Sequence, residues 1–137
     1  MIFIIDDDPS FAALLARTCR KHHSGPIHTF PDALSAIQKL AELETSLANL
    51  HPATKASSIS PPVDLIFLDI LLTGPDGFTL LHELVSYENT AKIPVVLVTS
   101  LDLATDDLSD YGVVKILNKA TFTPADIKAL LSEFIHA

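Results

Sequence analysis

The sequence predicts an α/β fold, a doubly wound parallel sheet of five strands with helices on both faces. Three observations predict it. Apolar runs rich in Val, Ile, Leu and Phe alternate with amphipathic segments along the chain. The runs lack polar alternation, as expected of strands covered on both faces. The segments between them carry apolar residues at helical spacing, so a strand–helix unit repeats.

The first strand is 2–5, and Asp6, Asp7, Asp8 and Pro9 end it abruptly. Asp8-Pro9 reads as an N-cap followed by proline at the first helical position, where a missing N–H costs nothing. In the helix that follows, Phe11, Leu14, Leu15 and Thr18 form a stripe, extended by Cys19 and His22. The second strand is 26–30, and Leu34, Ile37, Leu40 and Ala41 stripe the second helix. From about residue 49 to 62 a long loop is expected, because HPATKASSISPP has no periodicity and is rich in Ser, Pro and Ala. The third strand, 63–69, ends at Asp69, and Asp76-Gly77 reads as a turn and cap before a helix striped by Phe78, Leu81, Leu84 and Val85. The fourth strand is 94–99. Only residues 102–110 remain for the fourth helix, room for about two turns. The fifth strand is 114–118. Thr123-Pro124 repeats the cap-and-proline device before a helix striped by Ile127, Leu130, Leu131, Phe134 and Ile135.

A chain of 137 residues suits one domain, 1–137, with one core, and 48% hydrophobic residues are enough to fold it. The formal charge of −8 with nine Lys and Arg leaves no basic stripe, so direct nucleic-acid binding is not expected. Cys19 is the only cysteine, which excludes an internal disulfide framework and a CxxC metal site, and its place on a helix stripe reads as core. The six histidines show no ligand spacing, and His22-His23 reads as a solvated helix end. No apolar run approaches a membrane span, and a cytoplasmic location is expected.

In an open parallel sheet, sites form outside the carboxyl ends of the strands. Those ends deliver Asp6 and Asp7, then Asp69, then Thr99-Ser100, then Lys119. Two carboxylates about 4 Å apart repel by roughly 1 kcal/mol in bulk water and roughly 4 kcal/mol near a protein surface. A cluster of acids at buried strand ends therefore asks for a compensating cation. Lys115 is a rival to Lys119, but it falls near the start of its strand. Asp8 reads as a helix cap rather than a ligand.

The acidic pair in IIDDDP, the LIFLDILLTGPDGF block, the IPVVLVTS strand and the lysine in VKILNKA occur in that order. With them the chain resembles a receiver domain of the bacterial two-component response regulators, of the stand-alone single-domain type. The spacing from Asp69 to Asp76-Gly77 and the 30-residue step to Thr99 also fit the family's pattern. The resemblance implies a flavodoxin-like sheet of order 2-1-3-4-5. It implies Asp69 as the nucleophile that takes a phosphoryl group from a phosphohistidine of a histidine kinase or phosphotransfer protein. It implies Mg²⁺ held by Asp6, Asp7, Asp69 and the backbone carbonyl of Leu71. Lys119 would pair with Asp69 or its phosphate, and Thr99 would hydrogen-bond a phosphoryl oxygen. The output would be binding of a downstream protein, by a monomer or weak dimer, and the chain would catalyse only its own phosphorylation and dephosphorylation. Two other readings are a pseudo-receiver that binds a partner without phosphorylation, and a Mg²⁺-dependent phosphohydrolase with an Asp nucleophile. The second wants an acid two residues after the nucleophile, where this chain has Leu71.

The chain departs from the family's pattern at several positions. Ala120 stands where the family has proline after the lysine, usually with a cis peptide. A cis bond before a non-proline residue costs about 2.5–4 kcal/mol, and the sequence leaves the isomer open. Ile116 stands at the family's aromatic switch position. Leu71 and Leu101, two after Asp69 and Thr99, are apolar and cannot orient a water for attack on an aspartyl-phosphate. Orientation of this kind contributes about tenfold to a thousandfold, so a long-lived phosphorylated state is expected. Replacing Leu71 with Asn and Leu101 with Glu together is expected to speed dephosphorylation in Mg²⁺. A decay rate unchanged or slowed in that double variant would show that water access does not limit the site.

Overall fold

The computed structural model describes residues 1–50, 63–69, 76–86, 88–100 and 111–135. Five strands form one sheet: β1 (Ile2–Ile5), β2 (Ile27–Phe30), β3 (Leu65–Leu68), β4 (Val95–Thr99) and β5 (Val113–Asn118). All neighbours are parallel and the order is β2-β1-β3-β4-β5. The described helices are α1 (Pro9–Arg20), α2 (Ala33–Leu50), α3 (Asp76–Ser86), α4 (Glu88–Ala91) and α5 (Pro124–Phe134).

The pleat sorts the apolar runs into two cores. Ile2, Ile4, Leu65, Phe67, Val96 and Val98 pack against α1 and α5, while Phe3, Ile5, Ile66, Leu68, Val95 and Leu97 pack against α2 and α3. Burial on both faces is why these strands read as unbroken apolar runs. The ladder between β4 and β5 shifts register between Val95 and Val96, beside Gly112. Gly112 has φ of 81°, a left-handed backbone where a side chain would be strained, and its carbonyl accepts the Val95 N–H at 3.0 Å.

Both expected proline-started helices form. Asp8 caps α1 by accepting from the Ser10 and Phe11 N–H groups at 3.0 and 3.3 Å. Thr123 and Asp126 make a reciprocal capping box on α5.

The helix stripes lie differently from the sequence expectation. Leu14 and Leu34 are 47% and 63% exposed and Val85 is exposed too, whereas Ala12, Ala16, Ala33, Ala36 and Leu80 are buried. Alanine lets a helix backbone approach the sheet closely, so the contact line runs along the small residues and turns the neighbouring leucines outward. α1 ends at Arg20, so His22 lies beyond it rather than on its stripe. His23 is half-buried, with its Nε2 enclosed and without a hydrogen-bond partner, not a solvated helix end. Burial, the largest cause, lowers its pKa. α2 runs to Leu50, into the start of the expected loop, and α3 begins at Asp76 itself. The short α4 was not expected from the sequence; Thr90 ties it to α3 by donating to the Leu84 carbonyl at 2.6 Å. The rest of the expected loop, the helix expected within 102–110, Leu71 and Leu101 lie outside the described residues. Cys19 is fully buried, as its stripe position suggested, and burial pushes its thiol up to about 12. No described helix is long and apolar enough to cross a membrane.

Candidate functional site

The parallel ladders carry three strand ends to one rim. Beyond β1, the Asp6 N–H donates to the Phe30 carbonyl at 3.0 Å; beyond β3, the Asp69 N–H donates to the Ile5 carbonyl at 2.9 Å; beyond β5, the Lys119 N–H donates to the Thr99 carbonyl at 2.9 Å. Each bond extends a strand pairing by one residue and so fixes its side chain's height. Pleat parity then decides direction. Asp6 follows Ile2 and Ile4, Asp69 follows Leu65 and Phe67, and Lys119 follows Leu117, all on the α1 and α5 face.

The outcome is a compact charged cluster. Asp6, Asp7 and Asp69 each offer a carboxylate oxygen, all within 4.8 Å of one another. Asp6 and Asp69 are buried, at 4% and 5% exposure, and Asp7 is exposed. The Lys119 ammonium bridges the two buried acids, 2.8 Å from Asp6 Oδ2 and 2.9 Å from Asp69 Oδ2. Asp6 Oδ1 accepts the Asp8 N–H at 2.8 Å, so the first and third acids of the triplet are tied together. The sequence reading assigned Lys119 to Asp69; the bond to Asp6 is an addition.

Burial raises the Asp6 pKa, and the hydrogen bonds from Lys119 and the Asp8 N–H offset it only in part. For Lys119, burial acts downward, but hydrogen bonds and charge from Asp6 and Asp69 outweigh it and raise the pKa. Burial therefore prevails at Asp6, while two carboxylates around one ammonium prevail at Lys119. A carboxyl whose pKa is higher folded than unfolded loses contribution to stability as pH rises from 3.8 through its folded value. The lysine's contribution is complete below 10.5 and is lost as pH rises through its own raised value. Asp6→Asn is therefore expected to raise the melting temperature at neutral pH without divalent cations. Below pH 3.8 the gain should disappear, because Asp6 is then protonated in both states. Thermal melts across pH check both halves.

Thr99 is fully buried at the end of β4 and meets the lysine's backbone through its carbonyl. Lys115 is exposed within β5, paired in register with Val96 and away from the rim. Ile116 is half-buried against the α2 and α3 core. Among the described residues no peptide bond is cis, so Lys119–Ala120 is trans. The loop is shaped instead by Asn118, whose Oδ1 accepts the Ala120 N–H at 2.8 Å and whose carbonyl accepts from Thr121 and Phe122 at 3.1 and 3.0 Å. Sequence reasoning missed two aromatics. The Phe11 ring lies 4.6 Å below the Lys119 ammonium and packs edge-on against Phe122, centroids 5.7 Å apart. The available signal was Phe11's place in the first turn of a helix that starts at the rim.

Comparison with known proteins gives the arrangement a family. Residues 2–132 match the response regulator receiver domain. RpaA of Synechocystis sp., a DNA-binding dual master transcriptional regulator, is 29% identical over 96% of this chain and 46% of its own length. The response regulator PleD of Caulobacter vibrioides is 41% identical over 43% of this chain and 13% of its own. The chain thus spans less than half the length of these relatives. Among solved structures, the BeF3-activated N-terminal receiver domain of Klebsiella pneumoniae RstA superposes with a TM-score of 0.70 at 27% identity, covering 99% of this chain and 98% of that one. A two-component response regulator from Cytophaga hutchinsonii shares the fold, with a TM-score of 0.73 at 21% identity over 98% and 95% of the two chains. The sheet order and a family match running from β1 into α5 agree, and the chain belongs to the response regulator receiver domains of two-component systems.

Proposed function

We propose that this domain is a phosphoacceptor switch in which Asp69 takes a phosphoryl group from a phosphohistidine and the mark alters the surface offered to a downstream protein. The observation that carries the reading is a buried carboxylate, Asp69, bridged by a lysine and set beside two further acids at the end of a central strand. In the transfer, a carboxylate oxygen of Asp69 forms a bond to phosphorus as the phosphorus–nitrogen bond breaks, and the imidazole nitrogen leaves with the electron pair. Lys119 offsets charge on the arriving group as a compact cation, and Thr99 supplies a hydroxyl for a phosphoryl oxygen. Asp6, Asp7 and Asp69, with the Leu71 carbonyl, are the proposed ligands of Mg²⁺. The donor set fits that ion: it is all oxygen, and the exposed Asp7 leaves room for the waters Mg²⁺ retains. When bound, Mg²⁺ neutralises acid repulsion and phosphoryl charge. The partner is a histidine kinase or phosphotransfer protein. With a net charge of −8, this domain makes no direct contact with nucleic acid.

The test is phosphorylation by phosphoramidate with and without Mg²⁺, followed by intact mass. One Mg²⁺-dependent phosphoryl group is expected, together with an NMR response to beryllofluoride, the group that activated the Klebsiella RstA domain. In Asp7→Ala, Mg²⁺ affinity by calorimetry is expected to fall about tenfold or more. No uptake and no response to beryllofluoride would favour a phosphorylation-independent interaction module.

A further inference from the structure

The loop that carries Lys119 lacks both the proline and the cis bond that the family's pattern places there, yet the ammonium sits within hydrogen-bond distance of two buried acids. Something else must fix a four-carbon side chain at that spot. A flexible lysine stem loses rotamer entropy when it is held, so contacts along its length matter. We propose that Phe11, backed by Phe122, is a positioning residue that holds the Lys119 ammonium between Asp6 and Asp69.

Three observations bear on it. The Phe11 ring faces the ammonium at 4.6 Å, inside the range in which an aromatic face attracts a cation. Phe122 packs edge-on against Phe11, so the ring has a packing partner of its own. Both aromatics are anchored by independent backbone devices: Phe11 donates its N–H to the Asp8 cap, and Phe122 donates to the Asn118 carbonyl one turn beyond the strand. The ammonium therefore has the ring as a third neighbour besides the two carboxylates. The ring also shields the ammonium from water, which strengthens the bonds to Asp6 and Asp69. Phe11 touches no reacting atom; it acts through Lys119.

The inference rests on the proposed phosphoacceptor role, and the experiment separates the two. Wild type, Phe11→Leu and Phe11→Tyr are compared with phosphoramidate at saturating Mg²⁺, and the Lys119 ammonium protons are followed by NMR in the same proteins. In Phe11→Leu the maximal phosphorylation rate at saturating Mg²⁺ is expected to fall about two- to thirtyfold with donor half-saturation unchanged. The upfield ring-current shift of the ammonium is expected to vanish and its proton exchange to quicken. Phe11→Tyr, which keeps the ring, is expected to restore rate, shift and slow exchange. An unchanged rate in Phe11→Leu, or a rate that Tyr does not restore, overturns the proposal. Should wild type take up no phosphoryl group, the functional reading fails and ammonium exchange alone decides: faster exchange in Phe11→Leu only supports the positioning role, and equal exchange in all three overturns it. If Phe11→Leu does not fold, Phe122→Leu, which withdraws the ring's support, carries the same readouts.

Discussion

Asp69→Asn is expected to fold normally and take up no phosphoryl group from phosphoramidate in Mg²⁺. The backbone bond that fixes this position, from its N–H to the Ile5 carbonyl, does not depend on the side chain. An amide oxygen can still accept from Lys119, so the bridge to β5 is weakened rather than broken. Two buried carboxylates share one ammonium in the native cluster, so removing one negative charge relieves repulsion. The melting temperature should hold or rise by a few degrees. The chemistry does not survive: a neutral amide is a poor nucleophile and forms no stable acyl phosphate. The rate is expected to fall by at least about a thousandfold, below detection by intact mass. Peptide mapping of the wild type checks the assignment, and phosphate on Asp76 or another acid would overturn it.

How much of this site was legible in the sequence depends on which physical constraint acts on each residue. Strands buried on both faces write themselves as apolar runs, and a parallel sheet sends every carboxyl end to one rim. Asp6, Asp69 and Lys119 were therefore readable as neighbours despite lying up to 113 positions apart. The strand order was not in the runs; it came with the family resemblance. Helix faces were less legible, because a leucine weighs more than an alanine in any apolar pattern while close packing prefers the alanine. Leu14 and Leu34 were misplaced for that reason. The four residues of α4 are too few to show periodicity. The Lys119–Asp6 bond and the ring of Phe11 were invisible for another reason. Both depend on where a long side chain ends, and one-dimensional spacing fixes only where it begins.

That same lysine gives the second large effect. Lys119→Met keeps an unbranched apolar side chain and removes the charge that two buried carboxylates share. Without divalent cations, Asp6 and Asp69 then face each other unneutralised. Breaking a buried ion pair in this way typically costs about 3–5 kcal/mol, and the 22% exposure of the Lys119 side chain argues for the lower end. The sign of the pH dependence follows. Asp6 already binds its proton more readily in the fold than in the unfolded chain, and loss of the ammonium moves it further the same way. The variant should therefore gain stability, relative to wild type, as pH falls through that raised value. Divalent cations should stabilise the variant more than wild type. In wild type the ammonium partly neutralises the acids that would hold Mg²⁺; in the variant they would offer it their full charge. Its affinity by calorimetry is expected to rise about tenfold, and saturating Mg²⁺ to recover much of the lost melting temperature. Phosphorylation should nonetheless slow by about a hundredfold to a thousandfold, because the ammonium that bridges Asp6 and Asp69 is no longer there to take the phosphoryl charge. Tighter metal binding with slower transfer is a combination that simple misfolding does not produce. A variant that binds Mg²⁺ no better than wild type would show that the lysine and the metal do not compete for the same negative charge.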